Sequence, residues 1–121
     1  MPPTMSYDER LAARVREAVG ARRGVSEREM FGGVAFLLAG KMFVGVIGPD
    51  LVVRVGPGGN DDALAKPHVR PMDFTGRPMR GYVYVAPPGT KSAAAIRPWV
   101  DQAARFVATL PPKKKKSGRG R

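Results

Sequence analysis

Two stretches of the chain hold residues whose type and spacing could do chemistry. Met30-Phe31-Gly32-Gly33 sets adjacent glycines before an apolar run, and glycine pairs occur in loops that cradle phosphate. That chemistry needs more than the pair. A dinucleotide loop takes three glycines between a strand and a helix, a phosphate loop ends in Gly-Lys-Ser/Thr, and both aim a helix N-terminus at the anion. Here a β-favouring segment follows Gly33, and Gly56-Pro57-Gly58-Gly59 has neither form. Met30, Phe31, Gly32 and Gly33 are therefore assigned to the fold or to an interface. In the second stretch, Lys66-Pro67-His68-Val69-Arg70-Pro71, lies the single histidine, the one side chain that could serve as a histidine general base. No serine stands beside it, and Asp61 and Asp62 suit the first turn of a helix.

Cysteine is absent, which removes disulfides, thiolate metal sites and cysteine nucleophiles together. No catalytic residue, metal ligand or cofactor loop is assigned, and the expectation is a protein that is not an enzyme and takes no cofactor. The alternative is a small-ligand-binding protein or enzyme with a pocket near His68, Asp73 and Arg80.

The formal charge of +11 points to a polyanion partner, but six of the 21 basic residues are Lys113, Lys114, Lys115, Lys116, Arg119 and Arg121, leaving fifteen against ten acidic ones. The tail is thus the expected nucleic-acid-binding segment, able to release counterions without reading sequence. In the body, Arg80-Gly81-Tyr82-Val83-Tyr84-Val85 resembles an RNA-recognition octapeptide. On a strand Tyr82 and Tyr84 would share one face. Val83 and Pro87 break the pattern where a small residue and an aromatic belong, and a βαββαβ order is missing. Arg54, Arg70, Arg77, Arg80, Tyr82 and Tyr84 are the body residues expected at a surface or interface.

The elements that must position these residues follow from periodicity. One domain fits in 121 residues, with a core that closes without staples. Ser6-Tyr7-Asp8-Glu9 has capping-box spacing, and Tyr7, Leu11, Val15, Ala18 and Val19 recur on one face, so a helix is expected over 7–20. Ser26–Glu29 has the same spacing but runs into Gly32-Gly33 and is not taken as a helix. From Met30 the runs Val34–Leu38, Met42–Ile47 and Leu51–Val55 alternate with glycine turns as a meander does. Asn60 is expected to cap a short helix over Asp61–Lys66. Val69–Phe74 and Met79–Val85 flank Thr75-Gly76-Arg77-Pro78 as a second hairpin.

Ser92–Arg97 reads as a separate turn, with Pro98 in the first turn of a last helix carrying Trp99, Val100, Ala103, Phe106, Val107 and Leu110. The expected fold is α+β, an antiparallel five- to six-stranded sheet in the order α-βββ(β)-α-ββ-α with helices mainly on one face. Residues 1–5 and the tail 111–121 are expected to be disordered, around a domain at 6–110. Strands apolar at nearly every position call for cover on both faces, so self-association as a homodimer is expected. No run approaches a membrane span and no signal opens the chain, which gives a cytoplasmic address.

Arg28-x-Met30-Phe31-Gly32-Gly33, Met42-Phe43, Leu51–Val55, Pro71-Met72-Asp73-Phe74, Met79-x-x-Tyr82-x-Tyr84-Val85 and the Trp99 helix together resemble the N-terminal domain of the TfoX/Sxy family over about 6–110. The resemblance implies a compact α+β domain. It also implies kinship with bacterial competence regulators, which act at promoters with the cyclic-AMP receptor protein, so a transcription regulator is the implied protein partner. The basic tail stands where those regulators carry a second domain, and a single-domain member is expected. No enzyme site belongs to the family pattern.

Overall fold

The computed structural model describes residues 7–30, 32–74 and 77–110, without the side chains of Met30, Phe74, Arg77 and Pro78. Ser6, Phe31, the Thr75-Gly76 turn and the basic tail lie outside the described residues. The elements are α1 (Glu9–Val19), β1 (Val25–Met30), β2 (Gly33–Leu38), β3 (Lys41–Ile47), β4 (Asp50–Arg54), α2 (Asn60–Leu64), β5 (Val69–Phe74), β6 (Arg77–Val85) and α3 (Ala93–Ala108), with 3-10 turns at Pro57–Gly59 and Pro87–Gly89. The six strands form one antiparallel sheet in the order β1-β2-β3-β4-β6-β5. The strand beyond the five with apolar runs is β1. Its Ser26, Glu27, Arg28 and Glu29 are exposed, so it lacks the apolar signal of the others.

Both long helices differ from expectation at their N-termini. The cap of α1 is Asp8, whose Oδ1 accepts from the backbone N–H groups of Arg10 at 2.9 Å and Leu11 at 3.2 Å. Tyr7 is drawn out of the helix into a bridge with Gly48, and Asp8 N–H donates to the Gly48 carbonyl. In α3 the Ser92 hydroxyl accepts from Ala95 N–H at 3.1 Å and the helix runs unbroken through Pro98. The expected separate turn does not exist. Pro98 leaves the Ala94 carbonyl without its helical donor, but both residues are exposed and water can serve it. Ile96 before the proline and Trp99 and Val100 after it are all buried, which holds both sides of the helix on the core.

The register separates two faces. Phe36, Val44, Val53 and Val83 lie in one row across β2, β3, β4 and β6 and join Leu11, Val15, Ile96, Val100 and Val107 in the helix-covered core. The opposite row runs Arg28, Ala35, Gly45, Val52, Tyr84, Arg70 through all six strands. Ala35, Leu37, Val52 and Met72 are buried outside the helix-side cluster. Cover here comes partly from the chain's own side chains. The Met42 methyl lies 3.0 Å from where a Gly45 Cβ would stand, so Met42 folds over the glycine.

Both sheet edges carry features that oppose pairing in register with a second copy. A two-fold axis normal to the sheet pairs residues of equal parity, and the central registers of β1 then oppose Glu27 to Glu27 or Arg28 to Arg28, both repulsive. The other edge, β5, carries Pro71 and a register shift after it.

Candidate interaction face

The face without helices is shaped by one irregularity. Gly81, at φ +94°, turns β6 so that its carbonyl accepts from both Val55 N–H at 2.8 Å and Gly56 N–H at 3.0 Å. Its own N–H is taken up by Asn60, whose Oδ1 accepts it at 2.9 Å in a buried contact. The expected capping role of Asn60 is therefore corrected. It is the first residue of α2, and its side chain satisfies the kinked strand, because a buried amide left unpaired costs about 1–3 kcal/mol.

Glycine is required on both sides of this junction. A Cβ on Gly81 would meet the Gly56 and Pro57 backbone at 3.2 Å, and one on Gly56 would collide with the Phe106 ring. This close approach brings the end of α3 to the end of β4. Arg54 extends from there, donating to the Met42 carbonyl at 3.3 Å, with its guanidinium 5.5 Å from the Tyr82 ring and 5.6 Å from the Phe106 ring.

A second arginine and tyrosine meet farther along the face. Arg70 lies over Tyr84, 4.7 Å from the ring centroid, and forks onto Asp50 with Nη2 to Oδ2 at 2.6 Å and Nη1 to Oδ1 at 3.3 Å. The hydrogen bond to Asp50 raises the Arg70 pKa. Burial pushes the Tyr84 phenol above its ordinary range, the Asp50 charge adds to that, and Arg70 opposes it. Half of the Arg70 side chain remains exposed while Asp50 is nearly covered. The pair therefore presents a flat guanidinium whose orientation is fixed by two acceptors and a ring.

Arg54, Arg70, Tyr82 and Tyr84 thus lie on one face of the sheet. Arg80 is not among them. It is exposed and faces Asp61 of α2 at 3.9 Å, while the Arg77 side chain lies outside the described residues. His68, Asp73 and Arg80 do not converge: five residues of chain, about 16 Å of strand, separate His68 from Asp73. His68 sits in a turn at φ +68°, and its carbonyl accepts from Ala86 N–H at 2.8 Å. Two described clefts, one of about 430 Å³ beside Arg16, Arg22 and Phe36 and one of about 410 Å³ beside Arg97 and Asp101, include none of the three. Among the described residues no group of three acidic or histidine side chains could hold a metal ion, and no helix is long and apolar enough to cross a membrane.

Gly32 and Gly33 do separate tasks. Gly32 adopts φ +75° between the paired residues Met30 and Gly33. Gly33 is needed for space, since a Cβ there would collide with the Val46 carbonyl oxygen of β3. Asp50, Asn60 and Phe106 escaped the sequence-level assignment of site residues. Asp50 could have been found in part, since it shares strand parity with Val52 and Arg54, but nothing local ties it to Arg70.

No curated protein and no solved structure matches the chain. A family model described as the TfoX N-terminal domain matches residues 8–107, a span that contains every helix and strand of the sheet-and-helix fold except the last residue of α3. The chain belongs to the TfoX N-terminal domain family.

Proposed function

We propose that this domain is a non-enzymatic regulatory or interaction module. Its helix-free sheet face docks another macromolecule, and its basic tail adds non-specific nucleic-acid affinity. The observation that carries this is the convergence of Arg54, Arg70, Tyr82 and Tyr84 on the one sheet face left without helices. Such arginine and aromatic clusters are enriched where partners bind. Kinship with promoter-acting regulators makes a transcription-related role the fitting setting. The tail contributes six cations that can neutralise phosphates without regard to sequence.

The test compares DNA and RNA binding by residues 1–110 and 1–121 over a range of salt. Removing six cations should weaken binding and lower the slope of log K against log[salt] by about 5 on duplex DNA. Equal affinities and equal slopes for the two proteins would contradict the role given to the tail.

A further inference from the structure

We propose that the helix-free face is a stacking platform for single-stranded nucleic acid. This rests on the nucleic-acid affinity proposed for the tail and names the class of strand that the body of the domain selects.

Tyr82 and Tyr84 stand two residues apart on the same face of β6, both half-buried. That places them about 7 Å apart, close to two stacking repeats of a nucleic-acid strand. Arg70 pairs with Tyr84 from the neighbouring strand β5 and covers one side of its ring, so a base arriving there meets the guanidinium. That guanidinium is held by Asp50, with half the side chain open to solvent, and guanidinium planes accept a base face as aromatic rings do. Arg28, Arg54 and Arg70 place three cations on this face, Asp50 balances that of Arg70, and Asp73 lies near enough to act on Tyr84 as a second negative charge.

The last described residue, Leu110, packs against the core. Phe106, whose ring lies 5.6 Å from the Arg54 guanidinium, is one helical turn before Leu110. The eleven residues of 111–121 follow Leu110 in the chain and can span at most about 36 Å. A strand laid from Tyr82 towards Arg70 can offer its phosphates to the tail and its bases to the arginine and tyrosine row. A duplex keeps its base faces inside the stack, so it can use the tail alone.

Fluorescence anisotropy tests this with a labelled oligothymidylate and a duplex of equal length. The proteins are residues 1–121, residues 1–110, and full-length Tyr82→Leu, Tyr84→Leu and Arg70→Lys, each checked by circular dichroism and melting. The full chain should prefer the single strand. Each tyrosine substitution should cost roughly tenfold in single-strand affinity and leave duplex affinity and salt slope unchanged. Arg70→Lys keeps the charge but loses the plane, so it should show the same selective loss. Equal affinity for the two nucleic acids overturns the platform even if the tail binds, as do tyrosine variants that hold the single strand as tightly as the parent. Tyrosine-dependent single-strand preference in residues 1–110, with no contribution from the tail, would uphold the platform and refute the role of the tail. No binding by the full chain would overturn both.

Discussion

Replacing Gly32 and Gly33 separately by alanine distinguishes two reasons for glycine at adjacent positions. At Gly32 the cost is conformational, since φ is +75° and a Cβ in that region costs about 1–2 kcal/mol. A stiffer unfolded chain returns about 0.4–1 kcal/mol, so Gly32→Ala should lose about 1 kcal/mol. At Gly33 the cost is spatial. The new Cβ would fall on the Val46 carbonyl oxygen and lie 3.1 Å from the Ile47 side chain. A backbone atom cannot swing aside as a side chain can, so β2 and β3 must part where Val34 pairs with Val46.

Overpacking in the middle of its range, about 2 kcal/mol, with a ladder hydrogen bond of about 1 kcal/mol lost gives about 3 kcal/mol. Thermal unfolding followed by circular dichroism should show a fall of about 12 °C or more for Gly33→Ala and about 5 °C for Gly32→Ala. Asparagine tolerates the left-handed region, so Gly32→Asn should approach the parent and Gly33→Asn should not. Equal losses at the two positions would refute the division of roles. A folded variant of either glycine that lost a phosphate affinity held by the parent would contradict the assignment of both glycines to the fold or an interface.

Two further substitutions probe the junction and the face. Asn60→Ala leaves the buried Gly81 N–H without its acceptor and should cost about 2 kcal/mol in urea unfolding, with weaker oligonucleotide binding as Tyr82 loses its anchorage; unchanged stability would contradict the stitching role. Because burial raises the Tyr84 pKa, the folded state holds the phenolic proton more tightly than the unfolded state. Its contribution is present below the ordinary phenol value of about 10 and is lost as pH rises through the higher folded value. Ultraviolet titration should show a tyrosine ionising above the ordinary value, and Tyr84→Phe should remove that component and flatten the alkaline loss of stability. Persistence of both in the variant would locate the effect elsewhere.

What the sequence disclosed followed the range of each interaction. The α1 stripe of Leu11, Val15, Ala18 and Val19 is a local 3.6-residue period, and all four are buried in the structure. Strand alternation likewise put Tyr82 and Tyr84 on one face, and glycine turns marked the meander. The polar strand β1 gave no apolar signal because its outer edge meets solvent.

Contacts between distant residues were not legible. Arg70 finds Asp50 across 20 positions and Asn60 finds Gly81 across 21, and each pairing depends on the order in which strands assemble. Pro98 misled for the opposite reason. Its local rule is sound, but the buried residues on both sides outweigh one lost hydrogen bond. For the interaction face, the four residues were visible one by one, while the partners that orient them were not.

Amide chemical-shift mapping of isotopically labelled residues 1–121 during titration with oligothymidylate tests most directly whether the helix-free face is the binding surface. The expected result is a set of large shifts at Arg54, Arg70, Tyr82 and Tyr84 together with the tail, and little change along the solvent sides of α1 and α3. Shifts confined to the tail, or clustered on α1 and α3, would contradict it.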